Sequence, residues 1–315
     1  MGSTALFKFR ENKIKYLKAV DGISFTIDRG ETLGLAGESG CGKTTTAKIL
    51  LGLYKPTQGK ILCNAMDITN ITKKELKTFR QNAQMIFQDP YESLNPRFKI
   101  KETLMEPLLI HKIGKTNKNR LEIISRILND VGLSPARNYI NRFPHELSGG
   151  QRQRISIARA LIINPVFLVA DEPVSMLDVS IRAGILNLLK KLIVKNNLAG
   201  LYISHDISFI RYLCDRIAIM YLGRIVEIGR AEEVISKRYH PYTQVLFEAI
   251  PSPDPNHKIN IGKIKGGVSD PIDLPEGCRF HNRCVRCMNI CKKEMPQSIE
   301  VENNYWVECH LYNKN

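Results

Sequence analysis

Short apolar runs alternate with amphipathic stretches along this chain, and the two spacings predict different elements. ISFTI (23–27), TLGLA (32–36), KILC (60–63), AQMIF (83–87), VFLVAD (166–171) and LYIS (201–204) have the length and composition of strands. IAIMYL (217–222) and RIVEI (224–228) follow, and the LGR between them predicts a hairpin turn. Helical spacing begins at Lys43, near Arg120, at Gln151 and near Val179. Strands interleaved with helices predict an α/β fold of parallel strands and crossover helices. From about Pro96 to Leu147 the strand pattern stops, and a helical insert within the α/β core is the expectation. After HPYTQVLFEAI, the stretch PSPDPNHKINIGKIKGGVSDPIDLPEG reads as a loop-rich connector, and a cysteine-rich end follows it.

Composition narrows this picture. A chain of 315 residues is long for one compact domain and suits two lobes or a domain with an appendage. Its 43% hydrophobic content is enough for a sizeable core. No apolar run approaches the roughly eighteen residues of a membrane span. The opening MGSTALFKFRENKIK lacks a signal-peptide pattern, and Leu6 spoils a myristoylation match. A soluble, cytosolic chain is therefore expected, and there clustered cysteines more often hold metal or do chemistry than form disulfides. The net charge of +15 suits phosphate ligands and an anionic membrane surface as well as nucleic acid. Because the basic residues are scattered along the chain, no nucleic-acid partner is expected.

The strongest local signal is GESGCGKT at 37–44, a G-x-x-x-x-G-K-[ST] match set between a predicted strand and a predicted helix. Glycines let the backbone turn its N–H groups toward phosphate oxygens at the positive end of the next helix. Gly37, Glu38, Ser39, Gly40, Cys41, Gly42, Lys43, Thr44 and Thr45 are thus the candidate ATP-binding residues. Lys43 would meet the β- and γ-phosphates, and the Thr44 hydroxyl would reach Mg²⁺. VFLVADEP then ends a buried strand in two adjacent acids that point different ways. Asp171 would serve Mg²⁺, and Glu172 would polarise the attacking water. LSGGQRQRISIARAL (147–161) puts a second glycine turn at a second helix N-terminus. One nucleotide does not need two such turns.

GESGCGKT, Gln88 in MIFQDP, LSGGQ, the acids DE, SMLD (175–178) and ISHD (203–206) stand in the order and rough spacing of an ABC-transporter ATPase subunit. The resemblance covers nearly the whole chain, and no guanine-specifying N-K-x-D accompanies it. It implies a P-loop NTPase core of ABC ATPase type over 1–95 and 148–250, a helical subdomain over 96–147, and a small Cys-rich C-terminal region over 251–315. It also implies a head-to-tail dimer, in which Leu147, Ser148, Gly149, Gly150 and Gln151 of one copy close over the nucleotide of the other. His205 would contact the γ-phosphate and hold the attacking water with Glu172, and Asp178 would run along the dimer seam. Gln88 would touch Mg²⁺ together with Thr44 and Asp171, and would link the site to the helical insert and the membrane subunits. Such ATPases stack an aromatic on adenine from upstream of the phosphate loop; Phe7 is the choice here over Phe9 and Tyr16. They also usually carry a further strand in that region, so a shortened or rebuilt N-terminus is expected. Met176 stands where Ala is more usual, a change expected to be tolerated.

HPYTQVLFEAIPSPDP (240–255) and GCRFHNRC (277–284) resemble the tail of the dipeptide, oligopeptide and nickel importer branch. That branch implies a distinct ATPase as dimer partner, two transmembrane permease subunits, and an extracytoplasmic peptide-binding protein contacted indirectly. It places the chain on the cytoplasmic face of the membrane and makes it an ATPase that powers peptide import, with nickel or another small solute as the alternative cargo. A soluble ABC ATPase acting on DNA or ribosomes is the rival from another class; such proteins carry paired ATPase domains or a long coiled coil. Five of the eight cysteines lie in the tail, with five, two, three and seventeen residues between successive members. By chemistry alone they suit either tetrahedral zinc or a [4Fe–4S] cluster. The resemblance favours the cluster, on Cys278, Cys284, Cys291 and Cys309, with Cys287 as an extra.

Overall fold

The computed structural model describes residues 17–89, 93–248 and 274–313. Eight strands form one sheet: β1 (Thr32–Ala36), β4 (Ala83–Ile86), β5 (Phe167–Asp171), β6 (Ala199–Ile203), β7 (Arg216–Tyr221), β8 (Arg224–Arg230), β9 (Ser298–Glu302) and β10 (Tyr305–Glu308). Their order is β4-β5-β6-β1-β7-β8-β10-β9. The first five are parallel, and β8, β10 and β9 continue the sheet antiparallel. A separate two-stranded ribbon joins β2 (Leu62–Cys63) to β3 (Met66–Asp67).

The parallel strands are near-continuous apolar runs because both faces are covered. TLGLA and AGLYI are buried at every position. Alternate residues feed two cores: Leu33, Leu35, Val169 and Leu201 enter one, with Phe79 of α2 (Lys73–Asn82). Ala36, Leu168, Ala170 and Tyr202 enter the other. The second core runs into the helical insert, through Ile100, Leu104 and Leu108 of α3 (Ile100–Ile110) and Ile124 and Leu128 of α4 (Asn117–Asp130). It also takes in Phe280, Tyr305 and Val307, so the tail and the insert share a core with the sheet. Burying the tail's own aromatics there stabilises this junction by about 1.5–3 kcal/mol for each large side chain.

Most predicted elements appear, with local differences. Helix α1 (Lys43–Leu50) starts where expected, and α5 (Gly149–Leu161) starts two residues ahead of Gln151, capped by Ser148. Helix α6 (Val179–Asn196) follows Asp178. The turn between β7 and β8 is Leu222–Gly223, both with positive φ (43° and 85°), as a tight hairpin that matches strand twist requires. ISFTI departs from expectation: its residues alternate between half-buried and exposed, yet it forms no ladder among the described residues. Ile23, Phe25 and Ile27 still pack against the first core, so the alternation reports one covered face rather than a strand partner. The tail contains an unpredicted hairpin, β9–β10, docked on β8. Helices α7 (Ile207–Leu213), α8 (Ala231–Lys237) and α9 (Pro241–Glu248) complete the elements that the argument below uses.

Candidate functional site

The loops that follow β1, β5 and β6 meet at the carboxyl edge of the parallel sheet, where open α/β sheets place their ligands. The loop after β1 carries GESGCGKT. Gly42 caps α1 with φ 109°, and a Cβ there would stand 2.1 Å from the Ala19 carbonyl oxygen, so only glycine fits. Lys43 is buried and folds back on the loop, its Nζ donating to the carbonyls of Gly37 and Glu38 at 2.8 Å each. A cleft of about 470 Å³ opens in front of it, lined by Ser39, Gly40, Gly42, Lys43, Thr44 and Thr45 and by Gln88, Glu172 and His205. Its opposite wall is Leu17, Lys18 and Ala19 with the Leu222–Gly223 turn. Phe7, Phe9 and Tyr16 lie outside the described residues.

The acidic residues divide as their strand position suggests. The Thr44 hydroxyl donates to Asp171 Oδ2 at 2.9 Å, bringing together two oxygen ligands suited to a hard divalent cation. Burial raises the Asp171 carboxyl above its ordinary range against the opposing Thr44 hydrogen bond, and the neighbouring Glu172 pushes it the same way. Glu172 faces the cleft. Gln88 Nε2 donates to its Oε2 at 3.1 Å, and His205 Nδ1 lies 2.8 Å from its Oε1.

Ser148 and Gln151 form a reciprocal capping box at the start of α5. Leu147 beneath them is buried, and none of residues 147–151 lines the cleft. Gly150 has an internal reason to be glycine, because a Cβ would stand 2.7 Å from Ile181 Cγ2. Gly149 has none of that kind: its Cβ would meet Leu177 Cδ2 at an ordinary 3.5 Å. Asp178 is exposed and makes no side-chain capping bond to α6 among the described residues.

In the tail, Cys278, Cys284, Cys291 and Cys309 line one small cavity, walled also by His240, Phe280 and His310. The Cys278 N–H donates to the Cys291 carbonyl at 2.8 Å, closing the loop that carries three of them. Burial pushes the Cys278 thiol up to about 12 and the Cys309 thiol up to about 11, and neighbouring Cys284 and Cys291 raise both further. Cys287 is not in the cavity lining. All eight cysteines are free of disulfides. Among the described residues, no group of three or more His, Cys, Asp or Glu side chains is disposed to hold a metal ion.

The sequence reading missed the connection between tail and cleft. Arg283 Nη1 and Nη2 donate to Glu38 Oε2 and Oε1, each at 2.9 Å. The Glu38 N–H donates to the Tyr242 hydroxyl at 2.9 Å. The cysteine spacing of GCRFHNRC predicts a ligand set and does not say what Arg279 and Arg283 contact.

A phosphate loop, a paired Thr–Asp, a cleft-facing glutamate bracketed by glutamine and histidine, and a separate serine-capped glycine turn on one parallel sheet define an ABC-type ATPase. Comparison with known proteins agrees. The family model described as ABC transporter matches residues 20–175, and that of the oligopeptide/dipeptide transporter C-terminal region matches 226–291. The putative oligopeptide transport ATP-binding protein YkfD of Bacillus subtilis is 46% identical over 96% of this chain and 92% of its own length. The oligopeptide transport ATP-binding protein AppF of the same organism is 45% identical over 96% and 92%. A post-hydrolysis dimer of the ATP-binding cassette MJ0796 bound to ADP and Pi superposes with a TM-score of 0.62 and 30% identity, covering 71% of this chain and 94% of that one. This chain belongs to the ABC-transporter ATPases, in the branch that carries the oligopeptide/dipeptide transporter C-terminal region. Among its described residues, no helix is long and apolar enough to cross a membrane.

Proposed function

We propose that this chain binds Mg²⁺–ATP in the cleft at 37–45 and uses its hydrolysis to drive peptide import from the cytoplasmic face of the membrane. The observation that carries the reading is Glu172, held between Gln88 and His205 beside the Thr44–Asp171 pair. Glu172 takes a proton from the water that attacks the γ-phosphorus as the bond to the leaving ADP oxygen breaks. His205 orients that water and the γ-phosphate, and Lys43 turns from the loop carbonyls to the phosphates. Thr44, Asp171 and Gln88 would hold the magnesium, which neutralises charge developing on the phosphate oxygens.

The chain works as one half of a head-to-tail pair, with a distinct ATPase as its partner. Gly149, which no neighbour among the described residues requires to be small, lets the Ser148–Gln151 turn approach the partner's nucleotide, and Asp178 lies along the seam. The permease subunits dock in a second cleft, of about 230 Å³, between the catalytic core and the helical insert. Its wall includes Leu53, Phe87 and Ile110, all substantially exposed, beside the Arg159–Glu106 ion pair at 3.1 Å.

Cys278, Cys284, Cys291 and Cys309 would hold a [4Fe–4S] cluster that fixes the tail. The four thiols line one cavity, and the likeness of the tail to the oligopeptide/dipeptide transporter C-terminal region favours a cluster over zinc. The test of the function is to assemble the chain with its partner ATPase, permease and binding protein and to measure ATP hydrolysis against added solutes. Stimulation by peptides is expected. Stimulation by nickel or another small solute in their place would overturn the cargo assignment and leave the ATPase standing.

A further inference from the structure

The loop between Cys278 and Cys284 sends two buried arginines into opposite walls of the nucleotide cleft. Arg283, its side chain 7% exposed, grips the Glu38 carboxylate with both terminal nitrogens. The carbonyl of that same Glu38 accepts from Lys43 Nζ, so one residue of the phosphate loop is held by the tail on one side and by Lys43 on the other. Arg279, its side chain 4% exposed, donates to the Leu222 carbonyl and to Asp21 Oδ2. Asp21 in turn donates its N–H to the Gly223 carbonyl at 2.8 Å, and the Gly223 N–H donates to the Cys41 carbonyl at 2.8 Å. Leu222, Gly223 and the segment before Asp21 form the wall that faces the phosphate loop. Between the two arginines Phe280 is wedged edge-on against Tyr221, with ring centroids 5.3 Å apart, and tilted against Tyr242 at 5.4 Å.

We infer that this tail loop is a positioning element of the nucleotide site, Arg283 acting through Glu38 and Arg279 acting through Asp21 and the Leu222–Gly223 turn. A bidentate guanidinium–carboxylate pair fixes direction as well as distance. Glu38 is thereby set with its carbonyl aimed at Lys43 and its side chain turned away from the phosphates. The tail thus acts on nucleotide affinity without touching the nucleotide. The inference rests on the reading of the 37–45 cleft as the ATP site and is independent of what the cysteines bind.

The experiment uses the full chain, with a fluorescent ATP analogue as the binding probe, thermal melting without nucleotide as the check on folding, and steady-state hydrolysis in the assembled transporter. Arg283→Gln is expected to weaken binding about tenfold, and Glu38→Gln to weaken it similarly. The double variant is expected to be no weaker than the weaker single one, because both changes remove the same contact. Arg283→Lys should recover part of the loss, and KM should rise in Arg283→Gln with kcat held within about twofold. Wild-type affinity in a folded Arg283→Gln chain overturns the inference, as do losses that multiply in the double variant. Should Arg283→Gln not fold, Arg283→Lys and Glu38→Gln carry the test: wild-type affinity in both overturns it. Lys43→Ala separates the two readings. If it binds as wild type, the cleft assignment falls and this inference with it. If it loses binding while Arg283→Gln does not, this inference falls alone.

Discussion

Glu172 Oε1 and His205 Nδ1 lie 2.8 Å apart across the carboxyl ends of two neighbouring parallel strands. The backbone is shaped for this contact. Glu172 has φ 46°, a left-handed conformation unusual for a side-chain-bearing residue, and its N–H donates to the Ile203 carbonyl at 2.9 Å. Holding such a conformation costs on the order of 1–3 kcal/mol, and it directs the carboxylate into the cleft while Asp171 beside it turns to Thr44. The His205 side chain is 64% exposed and that of Glu172 18%, so the pair opens to the cleft mainly through the imidazole.

Glu172→Gln should therefore abolish turnover while ATP binding stays close to wild type. The loss should be at least about a hundredfold if the carboxylate is the general base. His205→Ala should lower turnover with similar sparing of binding. Phosphate release and analogue binding, measured on the same preparations, check both. Normal turnover in Glu172→Gln would sink the assignment of the base.

Gly149 offers a test of the dimer. Because its Cβ would meet a neighbour only at 3.5 Å, Gly149→Ala should leave melting temperature and ATP binding nearly unchanged. Hydrolysis should fall steeply, since the added side chain would stand between Ser148 and a nucleotide on the facing subunit. Gly150→Ala should destabilise the chain itself, through the 2.7 Å approach of its Cβ to Ile181. If the two variants behave alike, Gly149 has a role within the chain and the argument for trans contact from its size fails.

What could be read in advance followed from whether the information was local. The phosphate loop, the DE strand end and the serine-capped glycine turn are contiguous motifs, and their backbone demands are written within a few residues. The parallel strands were also legible, because burial on both faces leaves runs such as TLGLA with no polar position. ISFTI misled because a covered face and a paired strand give the same alternation. The β9–β10 hairpin had a signal, SIEVE and YWVE around Asn303–Asn304, with Asn304 at φ 58°, but the cysteines drew the reading of that segment. Arg283 and Glu38 are 245 residues apart, and nothing in either neighbourhood names the other.

The tail cysteines predict their own outcome. Protein purified without oxygen should carry iron and sulfide near four each by the formula of the cluster. Cys309→Ser should lower both, and Cys287→Ser should leave both unchanged, because Cys287 is outside the cavity that the other four line. Metal analysis with an absorption spectrum checks this. Stoichiometric zinc would replace the cluster with a single-ion site; neither metal would leave the four thiols as core residues.

Glu227 links three parts of the chain from a wholly buried position on β8. Its Oε1 accepts the Tyr239 N–H at 2.8 Å and the Tyr305 hydroxyl, and its Oε2 accepts the His240 N–H at 2.9 Å. The segment leading into α9 and the tail hairpin are thus both tied to the central sheet. Burial raises its carboxyl above the ordinary range, against the hydrogen bonds that favour the anion. The native state then keeps this proton to higher pH than the unfolded chain does. Its contribution to stability is present below the unfolded value and is lost as pH rises through the folded one. Glu227→Gln removes that pH dependence but turns an NH₂ group against a backbone N–H, at a cost of about 1–3 kcal/mol. Urea melts at a series of pH values should show a less stable variant throughout, with a flatter profile above the ordinary carboxylate range. An unchanged profile would mean that Glu227 is not the group titrating there. A more stable variant would mean that the cost of burying its charge outweighs the three hydrogen bonds it accepts.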